Sequence, residues 1–513
     1  MMKSSGAVRR LPDAEATEAL GVELSLFIKP GDVIALSGDL GAGKTTLARA
    51  IIRALAPEAG AFEVPSPTFT LAQAYEFTRV PITHFDLYRL SDESEAIELG
   101  FLGGLRQSAC VVEWPERAEG LLPQDLLTIE LSDPETAGRI ATITANGDWA
   151  DRIDRMETVR KFLEGEGLSD CARYFLKGDA STRRYERLAS APPTILMDSP
   201  AQPDGPPVRD GKPYSQIAHL AENVTAFAAM AKGLCDKGLS APEVIASDLQ
   251  SGLLVIEDFG DDVFGAMLKD PANDMSEPYQ VAVDVLCHLA NQEPQADIAV
   301  EGTGTYTIPA YDHKAMEIEA ELLLDWFWPA VYGEPAPQGH RDEFLQAWRA
   351  HWPELETHRP VWVLRDYHSP NLMWLPERDG LKRVGLLDFQ DGLMGHPAYD
   401  LVSLLQDARV DVPADVERDL LDYYCAARGA DDPKFDEEAF RRAYSILALQ
   451  RNSKILGIFV RLKQRDGKDD YLKHIPRLSR YVTRTLKAGH LPELKAWFEE
   501  HLPADKRETL GQD

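Results

Sequence analysis

A chain of 513 residues is too long for one ordinary hydrophobic core, so two to four domains are expected. Its 44% hydrophobic and 27% charged residues exclude a disordered chain. The formal net charge of −30, spread over both halves, excludes a protein that grips nucleic acid through a basic footprint of its own.

The first third alternates short apolar strands with helical patterns, the mark of an α/β unit on a mostly parallel sheet. Residues 32–37 (DVIALS) read as a buried strand, and residues 44–56 as a helix with Leu47, Ile51 and Leu55 along one face. Between them, Gly38, Asp39, Leu40, Gly41, Ala42, Gly43, Lys44 and Thr45 fit G-x-x-x-x-G-K-[ST], with Thr46 following. Glycines at these places let backbone N–H groups face phosphate oxygens at a helix N-terminus. Lys44 would then bridge the outer phosphates of ATP, and the Thr45 hydroxyl would ligate Mg2+. Residues 82–86, 109–113, 126–131 and 139–145 are further strands. Asp86, at the end of the first of these, is placed to hold the metal, and Glu113, at the end of the second, to orient water.

GDLGAGKTT, SPTFTL, HFDLYRL and EWPE, in this order, closely resemble the TsaE family, the ATPase subunit of bacterial tRNA threonylcarbamoyladenosine synthesis. The resemblance implies a compact P-loop fold over residues 10–147 that works with the subunits TsaD and TsaB and meets tRNA only through them. It also implies that Thr68 approaches the γ-phosphate, Asp86 holds the metal, and Glu113 with Trp114 borders the nucleotide.

After residue 150 the pattern changes. A helix over 153–165 opens a new unit, a strand falls at 194–197, and a Pro/Gly/Asp-rich loop at 199–212 leads into a helix from Tyr214 onward. From Asp312 the chain reads as mostly helical, interrupted by the β-like runs VWVL and VGLLDF. We therefore expect domains at 1–150, 151–262 (a small lobe) and 263–513 (a larger helical lobe). Within the last, Asp366 and Asn371 have the D-x-x-x-x-N spacing of a kinase catalytic loop, and Asp388 follows a second apolar run. Asp366 would take the acceptor hydroxyl's proton, while Asn371 and Asp388 would hold Mg2+.

GDASTRRYERL, LRDYHSPNLMWL and LLDFQDGLMGHPAYDLVSLLQDAR resemble the aminoglycoside phosphotransferase-like family, and most of all its bacterial sugar kinases for the anomeric hydroxyl of N-acetylmuramate and N-acetylglucosamine in cell-wall recycling. The resemblance implies a two-lobed kinase fold. Residues 178–185, with Ser181 and Arg184, would be the loop over the phosphates, and residues 254–259, with Glu257, the segment that meets adenine. Two departures stand out: Met197 and Asp198 occupy the place of the expected strand lysine, and the catalytic loop reads Leu364-Arg365-Asp366. Arg183 or Arg184 could supply the missing charge, and His368 either stabilises transferred phosphate or packs or caps locally.

The C-terminal tryptophans read as core, and the basic stretch 451–473 as a solvated helix face. The leading expectation is a bifunctional protein using ATP and Mg2+: a tRNA-modification ATPase joined to an amino-sugar kinase. Alternatives for the second half are an aminoglycoside or choline kinase, or a non-catalytic regulatory module. Cys110, Cys171, Cys235, Cys287 and Cys425 show no C-x-x-C spacing, and no apolar leader or membrane-length run occurs, so a cytoplasmic location is expected.

Overall fold

The computed structural model describes residues 3–56, 62–67, 70–98, 100–133, 137–176, 183–270, 272–300, 302 and 304–511. Two compact units make up the chain, Met1–Asp198 and Ser199–Asp513.

The first unit is built on a seven-stranded sheet. In chain order it runs β1 (Ser4–Leu11), α1 (Ala14–Ser25), β2 (Val33–Ser37), α2 (Lys44–Ala54), β3 (Ala72–Tyr75), β4 (Ile82–Asp86), α3 (Glu93–Glu98), α4 (Phe101–Gln107), β5 (Ala109–Glu113), β6 (Leu127–Ser132), β7 (Arg139–Asn146), α5 (Asp148–Gly165), β8 (Arg173–Leu176), β9 (Arg184–Leu188) and β10 (Thr194–Asp198). The sheet order is β1-β7-β6-β2-β5-β4-β3. The central strands β6, β2, β5 and β4 are parallel, and antiparallel strands close both edges. Buried on both faces, β2 and β5 read as continuous apolar runs, which is why they are plain in sequence. β1 is an edge strand whose residues alternate between exposed and half-buried, and its Arg9 and Arg10 hide that pattern from a sequence reader.

Helix α5 starts at Asp148, five residues ahead of the expected position, because Trp149, Ile153 and Met156 all enter the core beside β2 and α2. It also carries the ion pairs that tie this core to the antiparallel ribbon β8-β9-β10. Arg152 makes a two-pronged contact with Asp32 at 2.5 and 2.7 Å, and Arg155 donates to Asp198 at 2.9 Å. Alternation in the ribbon places Arg173, Arg184, Glu186 and Asp198 on one face, where Arg173 pairs with Glu186 at 2.7 Å and lies 3.6 Å from Glu23.

In the second unit, a small hairpin of β11 (Pro207–Arg209) and β12 (Lys212–Pro213) precedes α6 (Tyr214–Ile217), a single turn where a longer helix was expected. Next come α7 (Val224–Asp236), the antiparallel pair β13 (Val244–Asp248) and β14 (Leu253–Glu257), α8 (Phe264–Met267) and α9 (Ser276–Asn291). A second hairpin, β15 (Asp297–Val300) with β16 (Gly304–Thr307), leads to α10 (His313–Leu322), whose N-terminus is capped by Asp312 accepting from Ala315 N at 2.8 Å.

α11 (Trp328–Tyr332) and α12 (Gln338–His351) follow. The short strands β17 (Val361–Val363), β18 (Leu372–Trp374), β19 (Val384–Leu386) and β20 (Leu393–Gly395) form two antiparallel pairs, β17 with β20 and β18 with β19. The remainder is helical: α13 (Ala398–Leu405), α14 (Ala414–Asp431), α15 (Glu437–Asp466), α16 (Ile475–Lys487) and α17 (Pro492–His501).

α15 crosses the end of α10 so closely that a side chain at Gly457 would lie 2.2 Å from the Leu322 carbonyl. Trp328, Trp348, Trp352 and Trp362 are buried, as a core reading requires, whereas Trp326 is half-buried. The stretch 451–473 is a solvated face only in part: Lys463 and Arg465 are exposed, whereas Arg451 and Lys454 are buried, because acids and carbonyls of neighbouring elements meet them. Among the described residues no helix is long and apolar enough to cross a membrane.

Candidate active sites

In the first unit the loop between β2 and α2 has the conformation its glycines permit. Gly38, Gly41 and Gly43 all have positive φ, and a Cβ at Gly38 would sit 2.2 Å from the Leu131 carbonyl, so glycine is obligatory there. Lys44, only 4% exposed, curls back into this loop and donates to the carbonyls of Gly38 at 2.6 Å and Asp39 at 2.9 Å. Its ammonium lies 3.7 Å from the centre of the Trp114 ring, which also packs on Tyr88. Burial pulls the Lys44 pKa down, opposed chiefly by Glu113.

Parallel register sets Asp86 directly beside Glu113. Glu113 accepts from Thr45 Oγ1 at 2.9 Å and contacts His84 Nε2 at 2.9 Å, while Asp86 accepts from Ser66 Oγ at 3.0 Å. Two residues here escaped the sequence reading. His84 is fully buried against Glu113, and Arg139 donates to the carbonyls of Ala42 at 3.2 Å and Gly41 at 3.4 Å, fastening the loop from β7. The HFDLYRL motif could have drawn attention to His84, but no local signal marks Arg139. Gly43 caps α2, and Thr46 lies in its first turn. Thr68 and Ser181 lie outside the described residues.

In the second unit, the catalytic-loop candidate follows β17. Leu364 N and Arg365 N donate to the Asp400 carboxylate at 2.6 and 2.9 Å, and Arg365 adopts a left-handed φ of 72°. The Arg365 guanidinium runs inward to Glu319 and donates to the Ala218 carbonyl at 3.0 Å. Glu319 is completely buried and also meets Lys454 at 2.8 Å and the Tyr311 hydroxyl at 2.5 Å. Burial would raise its pKa, but Arg365 and Lys454 outweigh that and hold it at about 2. Burial prevails at Asp400, whose carboxyl is pushed up to about 7 against the pull of its two N–H donors. Ser369 is tied to the buried Asp407 through both its N–H at 2.9 Å and its hydroxyl at 2.5 Å.

On this buried frame the candidate reactive groups are half-buried. The Asp366 carboxylate accepts no hydrogen bond from a described residue, whereas its carbonyl accepts from Asn371 Nδ2 at 3.0 Å. The β18–β19 pairing opposes Leu372 to Leu386, and Leu387 N donates to Asn371 O at 3.0 Å, which brings Asp388 alongside Asn371. Asp388 has φ of 54° and accepts from Gln390 at 2.8 Å. His368 contacts the Asp366 carbonyl through Nδ1 at 3.0 Å, a local capping contact.

One expected nucleotide contact, Arg184, is engaged elsewhere. Arg184 stacks 3.6 Å from the centre of the Phe27 ring and pairs with Asp198 at 2.5 Å, because strand alternation turns it to the face packed on the P-loop core. Glu257 pairs with Arg378 at the edge of a 780 Å³ cavity between α7 and β13. The substitution of Asp198 for a strand lysine is thereby explained locally: its carboxylate neutralises Arg155 and Arg184. Among the described residues no cluster of three or more His, Cys, Asp or Glu side chains is shaped to hold a metal by itself.

Comparison with known proteins also divides the chain in two, with the second match beginning inside the first compact unit. Residues 11–141 match the family described as threonylcarbamoyl adenosine biosynthesis protein TsaE, and residues 173–444 the phosphotransferase enzyme family. An N-acetylmuramate/N-acetylglucosamine kinase of Caulobacter vibrioides is 39% identical over 371 residues, spanning 69% of this chain and 98% of that protein. A tRNA threonylcarbamoyladenosine biosynthesis protein TsaE of Rickettsia felis is 36% identical over 176 residues, covering 34% of this chain and 98% of its own length. The TsaE of Bacillus subtilis is 39% identical over 140 residues, 27% of this chain and 85% of that protein.

Proposed function

We propose a bifunctional protein, on the premise that this chain belongs to the TsaE family through its N-terminal part and to the phosphotransferase enzyme family through its C-terminal part. The first activity is ATP hydrolysis in support of tRNA threonylcarbamoyladenosine synthesis. The second is transfer of phosphate from ATP to a hydroxyl of N-acetylmuramate or N-acetylglucosamine. The domain limits 1–150, 151–262 and 263–513 belong to the same reading.

The hydrolase reading is supported by Lys44, which already lies within its loop, and by the Thr45, Asp86 and Glu113 oxygens gathered beside it. These are oxygen donors of the kind magnesium takes, few enough to leave it several waters. Lys44 would release the Gly38 and Asp39 carbonyls to meet phosphate, Trp114 would shield it, and Glu113 would orient water. TsaD and TsaB would be the partners. The net charge of −30 supports leaving the tRNA to them.

The kinase reading is carried by one observation: an Asp366 carboxylate without a hydrogen-bond partner among the described residues projects from a loop locked by Asp400, Arg365 and Asp407. A carboxylate so placed can take the acceptor hydroxyl's proton. Asn371 and Asp388 supply oxygens for magnesium, which when bound neutralises phosphate charge. The five free cysteines support a reducing, cytoplasmic setting.

The test uses the full chain and labelled ATP. N-acetylmuramate and N-acetylglucosamine should become labelled, Asp366→Asn should stop transfer while sparing hydrolysis, and Lys44→Ala should do the reverse. Hydrolysis alone should be weak and should rise when TsaD and TsaB are added. Label on kanamycin or choline and on neither sugar refutes the acceptor, and undiminished hydrolysis in Lys44→Ala refutes the P-loop assignment.

A further inference from the structure

α15 carries seven described basic residues, and six are engaged. Arg441, Arg442, Lys454, Lys463 and Arg465 each pair with an acid, and Arg451 donates to the Gln406 carbonyl. Arg461 is the exception. Its Nε is buried without a hydrogen-bond partner, and the nearby Asp466 is taken by Arg465 at 2.7 and 2.9 Å. Its guanidinium faces the ring of Tyr214, 5.6 Å from guanidinium carbon to ring centre. Burial lowers its pKa more than the Asp466 carboxylate, shared with Arg465, offsets, so its charge is held at a cost.

Its neighbourhood connects to the catalytic loop. Tyr214 opens α6, and one turn later, about 6 Å along the helix axis, the Ala218 carbonyl accepts from Arg365, the residue before Asp366. Three residues further, Ala221 N donates to Asp391 at 2.6 Å, just past Asp388. The segment from Tyr214 to Ala221 therefore runs as one wall from Arg461 to the catalytic loop and its metal-binding candidate.

We propose that Arg461, backed by Tyr214, binds the carboxylate of an anionic acceptor sugar and so sets preference for N-acetylmuramate over N-acetylglucosamine. This rests on the acceptor reading above. The two sugars differ by a lactyl ether that carries one carboxylate. An arginine locked to an internal acid could not answer that group, and one fully buried could not tolerate the neutral sugar. An arginine stacked on an aromatic ring, half accessible and without an ion-pair partner, can do both.

The test measures kcat/KM of the full chain for both sugars and for N-acetylmuramate methyl ester. The unsubstituted chain should prefer the acid to its ester about 10- to 100-fold, the range of a charge-assisted hydrogen bond, and mainly through KM. Arg461→Gln should erase that preference and lower the N-acetylmuramate to N-acetylglucosamine ratio by a similar factor, and Arg461→Lys should recover part of it. Equal use of acid and ester by the unsubstituted chain overturns the assignment even if no variant folds, as does an unchanged ratio in Arg461→Gln. Transfer to neither sugar overturns the acceptor reading itself.

Discussion

Replacing Glu319 with Gln should loosen the floor beneath the catalytic loop. Gln keeps the volume and one acceptor, but it leaves Arg365 and Lys454 buried with no anion between them. Folding lowers the Glu319 carboxyl from 4.5 to about 2. At about 1.4 kcal/mol per pH unit, the ionised group contributes about 3 kcal/mol, in line with the ~3–5 kcal/mol lost when one partner of a buried pair is removed.

Since the folded value is the lower one, this contribution is complete above about pH 4.5 and drains away as pH falls toward 2. For a unit of roughly 300 residues, an unfolding entropy near 2 cal/mol/K per residue converts the loss into about 5 °C of Tm at pH 7. Tryptophan fluorescence is a suitable monitor, because most of the nine tryptophans lie beyond residue 199. Phosphotransfer should fall as well, through Arg365 and its left-handed backbone. A melting shift under about 1 °C with unaltered phosphotransfer refutes the claim that this cluster holds the loop.

Arg152→Ala should destabilise the first unit by about 3 kcal/mol or more, because Asp32 would remain buried with its two-pronged partner gone; chemical denaturation with ATP hydrolysis as readout checks this. At Asp400 the sign is opposite to that at Glu319. Folding raises its carboxyl from 3.8 to about 7, so stability from this group is greatest below pH 4 and declines as pH rises to about 7. The ionised form accepts more strongly from Leu364 N and Arg365 N than the protonated one, so phosphotransfer should climb with pH through about 7. Asp400→Asn should flatten both profiles.

Legibility in the sequence followed the range of the forces involved. The phosphate loop could be read because its glycines, Lys44 and Thr45 act within one turn, and Asp366 with Asn371 because a five-residue spacing fixes them on one loop. Asp388 was legible through the apolar run before it. Glu319 and Lys454, 135 positions apart, look like ordinary helix-surface charges, and only tertiary packing shows them to be one buried pair. Asp400 was likewise hidden in an apolar helical pattern. Arg184 was misread for a related reason: alternation along β9 decides its face, and which face is covered depends on a helix and a core that lie outside its own stretch of chain.

The position of α5 bears on how the two activities can be dissected. A cut at residue 150 would strip Ile153 and Met156 from the core they complete and would strand Asp32 without Arg152. The helix completes the first core, so truncation at residue 150 damages the unit that carries the phosphate loop. Single substitutions that silence one chemistry at a time are the sound way to assign a phenotype to either half.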